Sequence, residues 1–261
     1  MGKIPKNIFV YWHEERMPYI IYKMYKNLKH KHKDFKIYKF NDRIIKEKIK
    51  NIPDGVLINF DNKTIVSDWL RLHLLYKYGG IWADISNIFL KSINEIVDFN
   101  ADKLQAYKLF SNKNGIENWF IASPPKTNLV KLWLKECIIA FKDKKKYQEL
   151  NGRYDTNNEL NLPHLAQHLA FIKVIYENDL TNDYKLLGDL YLEKFNYLPF
   201  HYHFKFKWNS YKLAEFLLNS RNIDKDIKFI KLRGSDRKYF IRLFDKTKFS
   251  KKSFIIKLLN L

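Results

Sequence analysis

The chain has 261 residues, of which 46% are hydrophobic and 16% aromatic, so it is long enough to bury a sizeable core. Its one cysteine, Cys137, excludes an internal disulfide and lies in a run of helical periodicity, which predicts a buried core residue. The formal net charge of +20 exceeds what solubility requires and predicts an anionic partner. No window of 18 apolar residues and no signal-like stretch before the first predicted strand occur, so we expect a cytoplasmic protein.

The first forty residues have the pattern of a strand, a helix and a second strand. Residues 8–12 form an apolar and aromatic run that predicts the first strand. A helix with one apolar face is predicted to begin near Pro18, and residues 35–40 predict the second strand. Tyr11 and Trp12, at the end of the first strand, are either core residues or a stacking surface for a ligand ring.

An amphipathic helix is predicted to end at a pair of glycines, Gly79 and Gly80. Asp68 and Arg71 are three residues apart in this helix and therefore lie on one face of it. An exposed ion pair on a helix adds little stability, so we expect the two side chains to be replaceable without unfolding the chain.

A short buried strand is predicted directly after the glycine pair, at residues 81–83, and it is too short to alternate between a buried and an exposed face. Asp84 follows at its carboxyl end, and Ser86 comes two residues later. Because open α/β sheets hold their ligands at the carboxyl ends of the strands, Asp84 is a candidate ligand of a metal ion or of a substrate.

These segments together resemble the signature of GT-A glycosyltransferases that use nucleotide sugars. The resemblance is to the group containing capsular polysaccharide synthesis proteins, initiating mannosyltransferases and clostridial glucosylating toxins, whose signature runs S-D-x-x-R, L-x-x-Y-G-G-I/V-Y/W and D-x-D. The matching residues are Ser67, Asp68, Arg71, Leu75, Tyr78, Gly79, Gly80, Ile81, Trp82 and Asp84. Ser86 stands where most relatives have the second aspartate, and the capsular branch often carries a hydroxyl residue there.

The resemblance implies one GT-A-like, Rossmann-like α/β domain over residues 1–261, with a mostly parallel central sheet and extra C-terminal helices. It implies a hexosyltransferase that moves a sugar from a UDP- or GDP-sugar to a surface polysaccharide or glycolipid acceptor, with retention of the anomeric configuration. A non-catalytic basic protein that binds nucleic acid or membrane, and a phospho-sugar transferase, are the alternatives.

The resemblance also implies roles for the residues of the signature. Asp84, with Ser86 as a direct or water-mediated partner, is implied to hold Mn²⁺ or Mg²⁺, since these hard cations take oxygen ligands. Asp68 is implied to accept hydrogen bonds from hydroxyl groups of the donor sugar, and Arg71 to pair with Asp68 or to contact sugar and phosphate. Asp84, Asp68 and Arg71 are therefore the predicted catalytic residues, and a purely structural ion pair is the alternative for the last two.

Further segments add candidate contacts to the donor. Tyr11 or Trp12 is implied to stack on the uracil or guanine base. Residues 115–125 predict a strand. The resemblance implies that Asn118 on this strand reaches the donor sugar or the acceptor, and a plain strand edge is the alternative. Lys231 lies on a late predicted strand followed by a glycine turn, where the resemblance implies a lysine-containing loop over the donor diphosphate; Arg233, Ser235 and Lys238 are the alternatives for this contact.

Two histidines four residues apart, His164 and His168, lie on a predicted helix. Their spacing suits a metal pair, but the glutamate of an HExxH motif is missing, so we expect His168 on the acceptor side instead. The tail at about 245–261 combines lysines with apolar residues and predicts peripheral contact with the anionic inner face of a membrane. A C-terminal helix docked on the domain is the alternative, and the scattered lysines argue against a nucleic-acid partner.

Overall fold

A computed structural model describes residues 2–109, 115–143, 147, 149–154, 165–187, 199–246, 250 and 252–261. The chain divides into two compact units. Unit 1 contains the described residues of Met1–Glu15, Phe35–Ala83 and Val97–Leu190. Unit 2 contains those of Arg16–Asp34, Asp84–Ile96 and Tyr191–Leu261.

Unit 1 is built on a six-stranded sheet. The strands of the chain are β1 (Asn7–Tyr11), β2 (Lys36–Phe40), β3 (Gly80–Ala83), β4 (Asn87–Phe89), β5 (Leu104–Lys108), β6 (Ile116–Ser123), β7 (Tyr184–Leu186) and β8 (Phe229–Lys231). The sheet of unit 1 has the order β2-β1-β3-β6-β5-β7. Strands β1–β2, β1–β3 and β5–β7 pair in parallel, whereas β6 is antiparallel to both of its neighbours. The predicted α/β class with a mostly parallel sheet is therefore confirmed.

Helices pack against this sheet in unit 1 and form a large part of unit 2. The described helices are α1 (Tyr19–Lys31), α2 (Asp42–Lys48), α3 (Asp54–Leu57), α4 (Lys63–Tyr78), α5 (Asn128–Lys142), α6 (Asn151–Tyr154), α7 (Ala166–Asn178), α8 (His201–Lys205), α9 (Ser210–Asn219), α10 (Gly234–Lys246) and α11 (Phe254–Leu259). None of them is long and apolar enough to cross a membrane.

The core of unit 1 lies where α4, α5 and α7 pack against each other and the sheet. Trp69, Trp82 and Trp133 are fully buried there, and Cys137 is buried as predicted. Burial raises the pKa of the Cys137 thiol well above its usual value, so this cysteine is an inert core residue.

The turn from α4 to β3 depends on its two glycines. Gly79 has φ 61° and Gly80 has φ 111°, values that side chains disfavour. A Cβ on Gly79 would lie 2.6 Å from Pro125, and one on Gly80 would lie 2.6 Å from the backbone oxygen of Asn7. The glycine pair thus ends the helix, as the sequence predicted, and it lets β3 enter the sheet beside β1.

Unit 2 contains α1, the two-stranded sheet of β4 and β8, and helices α8 to α11. The predicted apolar face of the first helix is confirmed, since its residues Ile20, Ile21, Met24 and Leu28 are all buried. Helix α11 packs against α1 and α9 and buries Ile255, Ile256 and Leu259, whereas Phe254 is 37% exposed. The described part of the tail therefore uses three of its apolar residues for packing within unit 2.

Candidate functional site

Asp68 and Arg71 of α4 form an ion pair through Oδ1 and Nη1. The predicted exposure of this pair is wrong, because the two residues are only 4% and 3% exposed. Helix α4 packs against α5, β3 and β6, so the face that carries the pair is turned to the interior of unit 1. Arg71 also donates to Ser67 Oγ over 3.1 Å, and its guanidinium lies 5.2 Å from the ring centre of Trp82.

Gln167 of α7 joins this pair to the predicted donor contact Asn118. Its Oε1 accepts hydrogen bonds from Arg71 Nη1 at 2.5 Å and from Asn118 Nδ2 at 2.8 Å. Its Nε2 donates to the backbone oxygen of Asp68 over 2.7 Å. Asn118 Nδ2 is 3.4 Å from Asp68 Oδ1. The structure thus brings three of the predicted residues together.

Gln167 is a residue that the sequence analysis missed. It is fully buried, although glutamine is usually exposed, and it lies 96 positions from Arg71. The one local signal is a glutamine within the apolar run of α7, and that signal does not name its partners. The resulting cluster of donors and acceptors suits hydroxyl groups, which both donate and accept hydrogen bonds.

Tyr11 and Trp12, the candidates for base stacking, differ in their surroundings. Tyr11 is a core residue whose hydroxyl donates to Asp42 Oδ1 over 2.6 Å, and Lys63 Nζ lies 2.6 Å from the other oxygen of that carboxylate. Burial and the neighbouring Asp42 raise the pKa of Tyr11 well above its usual value. Trp12 is half-buried, and its indole nitrogen donates to Glu14 over 3.2 Å. Trp12 is therefore the better placed of the two to offer a ring face.

A second cluster, within unit 2, joins Asp84, Ser86 and Lys231. Lys231 Nζ is 2.6 Å from Asp84 Oδ2 and 3.2 Å from Ser86 Oγ. The backbone N–H of Leu232 donates to the carbonyl oxygen of Ser86 over 3.2 Å, which ties the two segments together independently of the side chains. The predicted metal ligands and the predicted diphosphate lysine thus meet across 147 positions.

The oxygen ligands of this second cluster do not fit a metal ion as they stand. They amount to one carboxylate and one hydroxyl, and the ammonium group of Lys231 contacts both. The described residues contain no group of three or more His, Cys, Asp or Glu side chains arranged to hold a metal. Binding of Mn²⁺ or Mg²⁺ at Asp84 and Ser86 stays a prediction from the resemblance, and it requires that Lys231 give up these contacts.

A buried network fixes the chain just after Lys231. Asp236 contacts His203 Nε2 at 2.8 Å, accepts from Ser210 Oγ at 2.6 Å and accepts from the backbone N–H of Arg233 at 2.7 Å. Burial alone would raise the pKa of Asp236, but hydrogen bonds with His203, Arg233 and Ser210 outweigh it and hold that pKa well below its usual value. The predicted glycine turn is wrong, because Gly234 is the first residue of α10. The carboxylate of Asp236 lies in the first turn of this helix and favours its start at this point.

Arg233 is held in place by this network. Its guanidinium donates to Asp236 and to the backbone oxygen of Trp208, and it lies 4.9 Å from the ring centre of Trp208. Its side chain is one-third exposed, so it remains within reach of solutes.

The predicted acceptor residue His168 is 4% exposed and follows Gln167 on α7. Its predicted partner His164 lies outside the described residues. The acceptor role of His168 therefore stays a prediction.

Comparisons with known proteins indicate the family to which the chain belongs. The sequence profile described as capsular polysaccharide synthesis protein matches residues 2–151, which include the whole signature. The O-glycosyltransferase PaGT of Phomopsis amygdali is 29% identical over 68 residues, 26% of this chain but only 15% of that protein. The solved structure "PaToxG Glycosyltransferase" aligns with a TM-score of 0.49 and 16% identity, over 67% of this chain and 69% of that one. Because the profile covers more than half of the chain, the chain belongs to the capsular polysaccharide synthesis protein family, as its signature predicted.

Proposed function

We propose that this chain is a glycosyltransferase that moves a hexose from a UDP- or GDP-sugar to a surface polysaccharide or glycolipid acceptor, with retention of configuration. Membership of the capsular polysaccharide synthesis protein family supports the reaction class. The observation that carries the proposal is the largely buried cluster of Asp68, Arg71, Asn118 and Gln167, which contains two positions of the signature and is joined by hydrogen bonds.

The chemistry explains why such a cluster is useful. Breaking the sugar–phosphate bond leaves positive charge on the sugar and negative charge on the departing diphosphate, so stabilising groups must already be in position. In the proposed roles, Asp68 accepts hydrogen bonds from sugar hydroxyls while Arg71 fixes the orientation of its carboxylate. Gln167 restrains Arg71 and Asn118 together, which keeps both polar groups aligned before the donor arrives.

The diphosphate and the base need other contacts. Lys231 and Arg233 lie two residues apart and are the proposed source of positive charge for the diphosphate. Trp12 is the proposed stacking surface for the base, because its ring is only half-buried.

A membrane surface is the proposed location of the acceptor. The charge of +20 supports attraction to the anionic inner leaflet. Since Ile255, Ile256 and Leu259 of α11 are buried in unit 2, surface lysines and not an inserted tail are the proposed source of this attraction.

Thermal unfolding with a panel of UDP- and GDP-sugars tests the donor class. We expect one sugar nucleotide to raise the melting temperature more than its nucleoside diphosphate does, because a ligand that binds the folded chain stabilises it. Asp68→Asn should remove that difference, since it replaces a charged acceptor by an amide. Asp61→Asn, an exposed aspartate of the same unit, is the control. No response to any donor, or equal responses of the two variants, would refute the proposal.

A further inference from the structure

Lys231 occupies the position that a divalent cation would need. Its ammonium group lies 2.6 Å from Asp84 Oδ2 and 3.2 Å from Ser86 Oγ, the two oxygens implied as metal ligands. The lysine side chain is only 7% exposed, so it has little freedom to swing out into solvent. Two cations competing for one carboxylate repel each other, and a metal ion can reach Asp84 only if Lys231 is displaced.

Asn87 adds a second polar group on the same side of the two-stranded sheet. It lies directly opposite Lys231 in the antiparallel pairing of β4 and β8, and opposite residues project to the same face. Asn87 is 1% exposed, and its amide nitrogen and oxygen have no hydrogen-bond partner among the described residues. A buried amide without partners is costly, and a bound polar ligand would relieve that cost.

We propose that Lys231 takes the place of the metal ion, and that Lys231 and Asn87 bind the diphosphate of the donor without a divalent cation. Asp84 is then a positioning residue that holds the ammonium group of Lys231, and Ser86 assists through its hydroxyl. Arg233, held over Trp208 two residues further on, adds positive charge. This inference rests on the proposed use of a nucleotide sugar and replaces the implied Mn²⁺ or Mg²⁺ by a residue of the chain.

Calorimetric titration of the full chain with UDP and with GDP tests the inference. We expect the preferred nucleotide to bind with the same affinity in excess EDTA as in Mn²⁺. In EDTA, Lys231→Ala should weaken binding about 10- to 100-fold, the effect of losing one hydrogen bond to a charged group. Lys228→Ala is the matched control, because this lysine of the same segment donates to the backbone oxygen of Glu95.

Removing the lysine should also create a metal requirement. In Lys231→Ala, Asp84 and Ser86 lose their ammonium partner, and Mn²⁺ should restore part of the lost affinity. The backbone hydrogen bond from Leu232 to Ser86 is unchanged by this substitution, which favours folding of the variant. Asn87→Ala should weaken binding in EDTA as well.

The outcomes separate the inference from the proposed function. Binding of wild type that requires Mn²⁺, or equal affinities of Lys231→Ala and Lys228→Ala in EDTA, would overturn the inference and leave the transferase proposal standing. Failure of UDP and GDP to bind under both conditions would overturn both. If Lys231→Ala does not fold, the electron paramagnetic resonance signal of Mn²⁺ titrated with wild type decides: an unchanged signal supports the inference, and a quenched signal contradicts it.

Discussion

Burial changes what the Asp68–Arg71 pair contributes to the chain. An exposed pair at this spacing would add a few tenths of a kcal/mol, but both side chains here are buried, with Arg71 bonded to Gln167 and Asp68 next to Asn118. Removing one member leaves an uncompensated charge and unpaired donors in the interior. The pair is thus tied to the stability of the chain as well as to its proposed function.

Asp68→Ala should therefore destabilise the chain by about 3–5 kcal/mol and lower its melting temperature by several degrees. Thermal unfolding checks this, with Asp61→Ala as the control because Asp61 is exposed. A melting temperature equal to that of the control would mean that the pair is exposed in solution.

Three histidines, of which His32 and His203 are buried and His73 is half-buried, make stability depend on pH. Burial lowers the pKa of His32, His73 and His203, and at His203 this effect prevails over the opposing influence of Asp236. In the unfolded chain these residues titrate near the ordinary value of about 6.5. As the pH falls below that value, the unfolded chain binds protons that the folded chain does not, and stability is lost.

The free energy of unfolding in urea should accordingly be lower at pH about 5.5 than at pH about 7.5. His73→Phe, which keeps a ring beside Trp69, should reduce the difference between the two pH values. An unfolding free energy that is equal or higher at the acidic pH would contradict these pKa directions.

Single residues also mark the limit of sequence analysis. Asp68 and Arg71 were identified from a signature of local spacing, and Asn118 from its place on a predicted strand. Gln167 was missed because its partners in the cluster, Asn118, Asp68 and Arg71, lie 49 or more positions away along the chain. The contact of Lys231 with Asp84 depends on the pairing of β4 with β8. The hydrophobic periodicity of the sequence does not predict that pairing.

Helices and strands can be predicted where their sequence signal is local. The strands at both sides of α1, the apolar face of α1 and the glycine stop after α4 all follow from hydrophobic spacing and from glycine conformation. The start of α10 at Gly234 was missed, because the buried carboxylate of Asp236 favours it through contacts with distant residues.

The substitution Gly80→Ala tests whether the turn from α4 to β3 requires a glycine. The substitution places a Cβ 2.6 Å from the backbone oxygen of Asn7 and imposes φ 111° on a residue with a side chain. We expect a loss of about 2 kcal/mol or more in thermal unfolding, because backbone atoms of two paired strands must move. Gly152→Ala has no atom within 4 Å of the new Cβ and should leave stability unchanged or slightly raised. Equal melting temperatures of the two variants would show that the turn tolerates a side chain.

At the scale of the whole molecule, charge is the property most easily obtained from sequence, and it predicts binding to anionic vesicles. Because α11 buries Ile255, Ile256 and Leu259, we expect flotation with such vesicles at low salt and release at about 1 M salt, where charges are screened. Phe254→Ala should float like wild type. Flotation that survives high salt would indicate apolar insertion instead, and no flotation at low salt would remove the membrane from the proposed function.

The division into two units was not visible in the sequence, since each unit is assembled from three separate stretches of the chain. The proposed residues are divided in the same way, with Asp68 and Arg71 in one unit and Asp84 and Lys231 in the other. The sequence does not show which of these residues belong to the same unit, so their contacts follow only from the folded structure.

Release of nucleoside diphosphate from a panel of UDP- and GDP-sugars tests the proposed glycosyl transfer most directly. We predict that wild type releases UDP or GDP from at least one donor, and that Asp68→Asn, at a matched amount of folded protein, loses at least about a hundredfold in rate, as expected when a charged contact in the transition state is removed. Absence of release from every donor, or release by Asp68→Asn at the rate of wild type, would contradict the account.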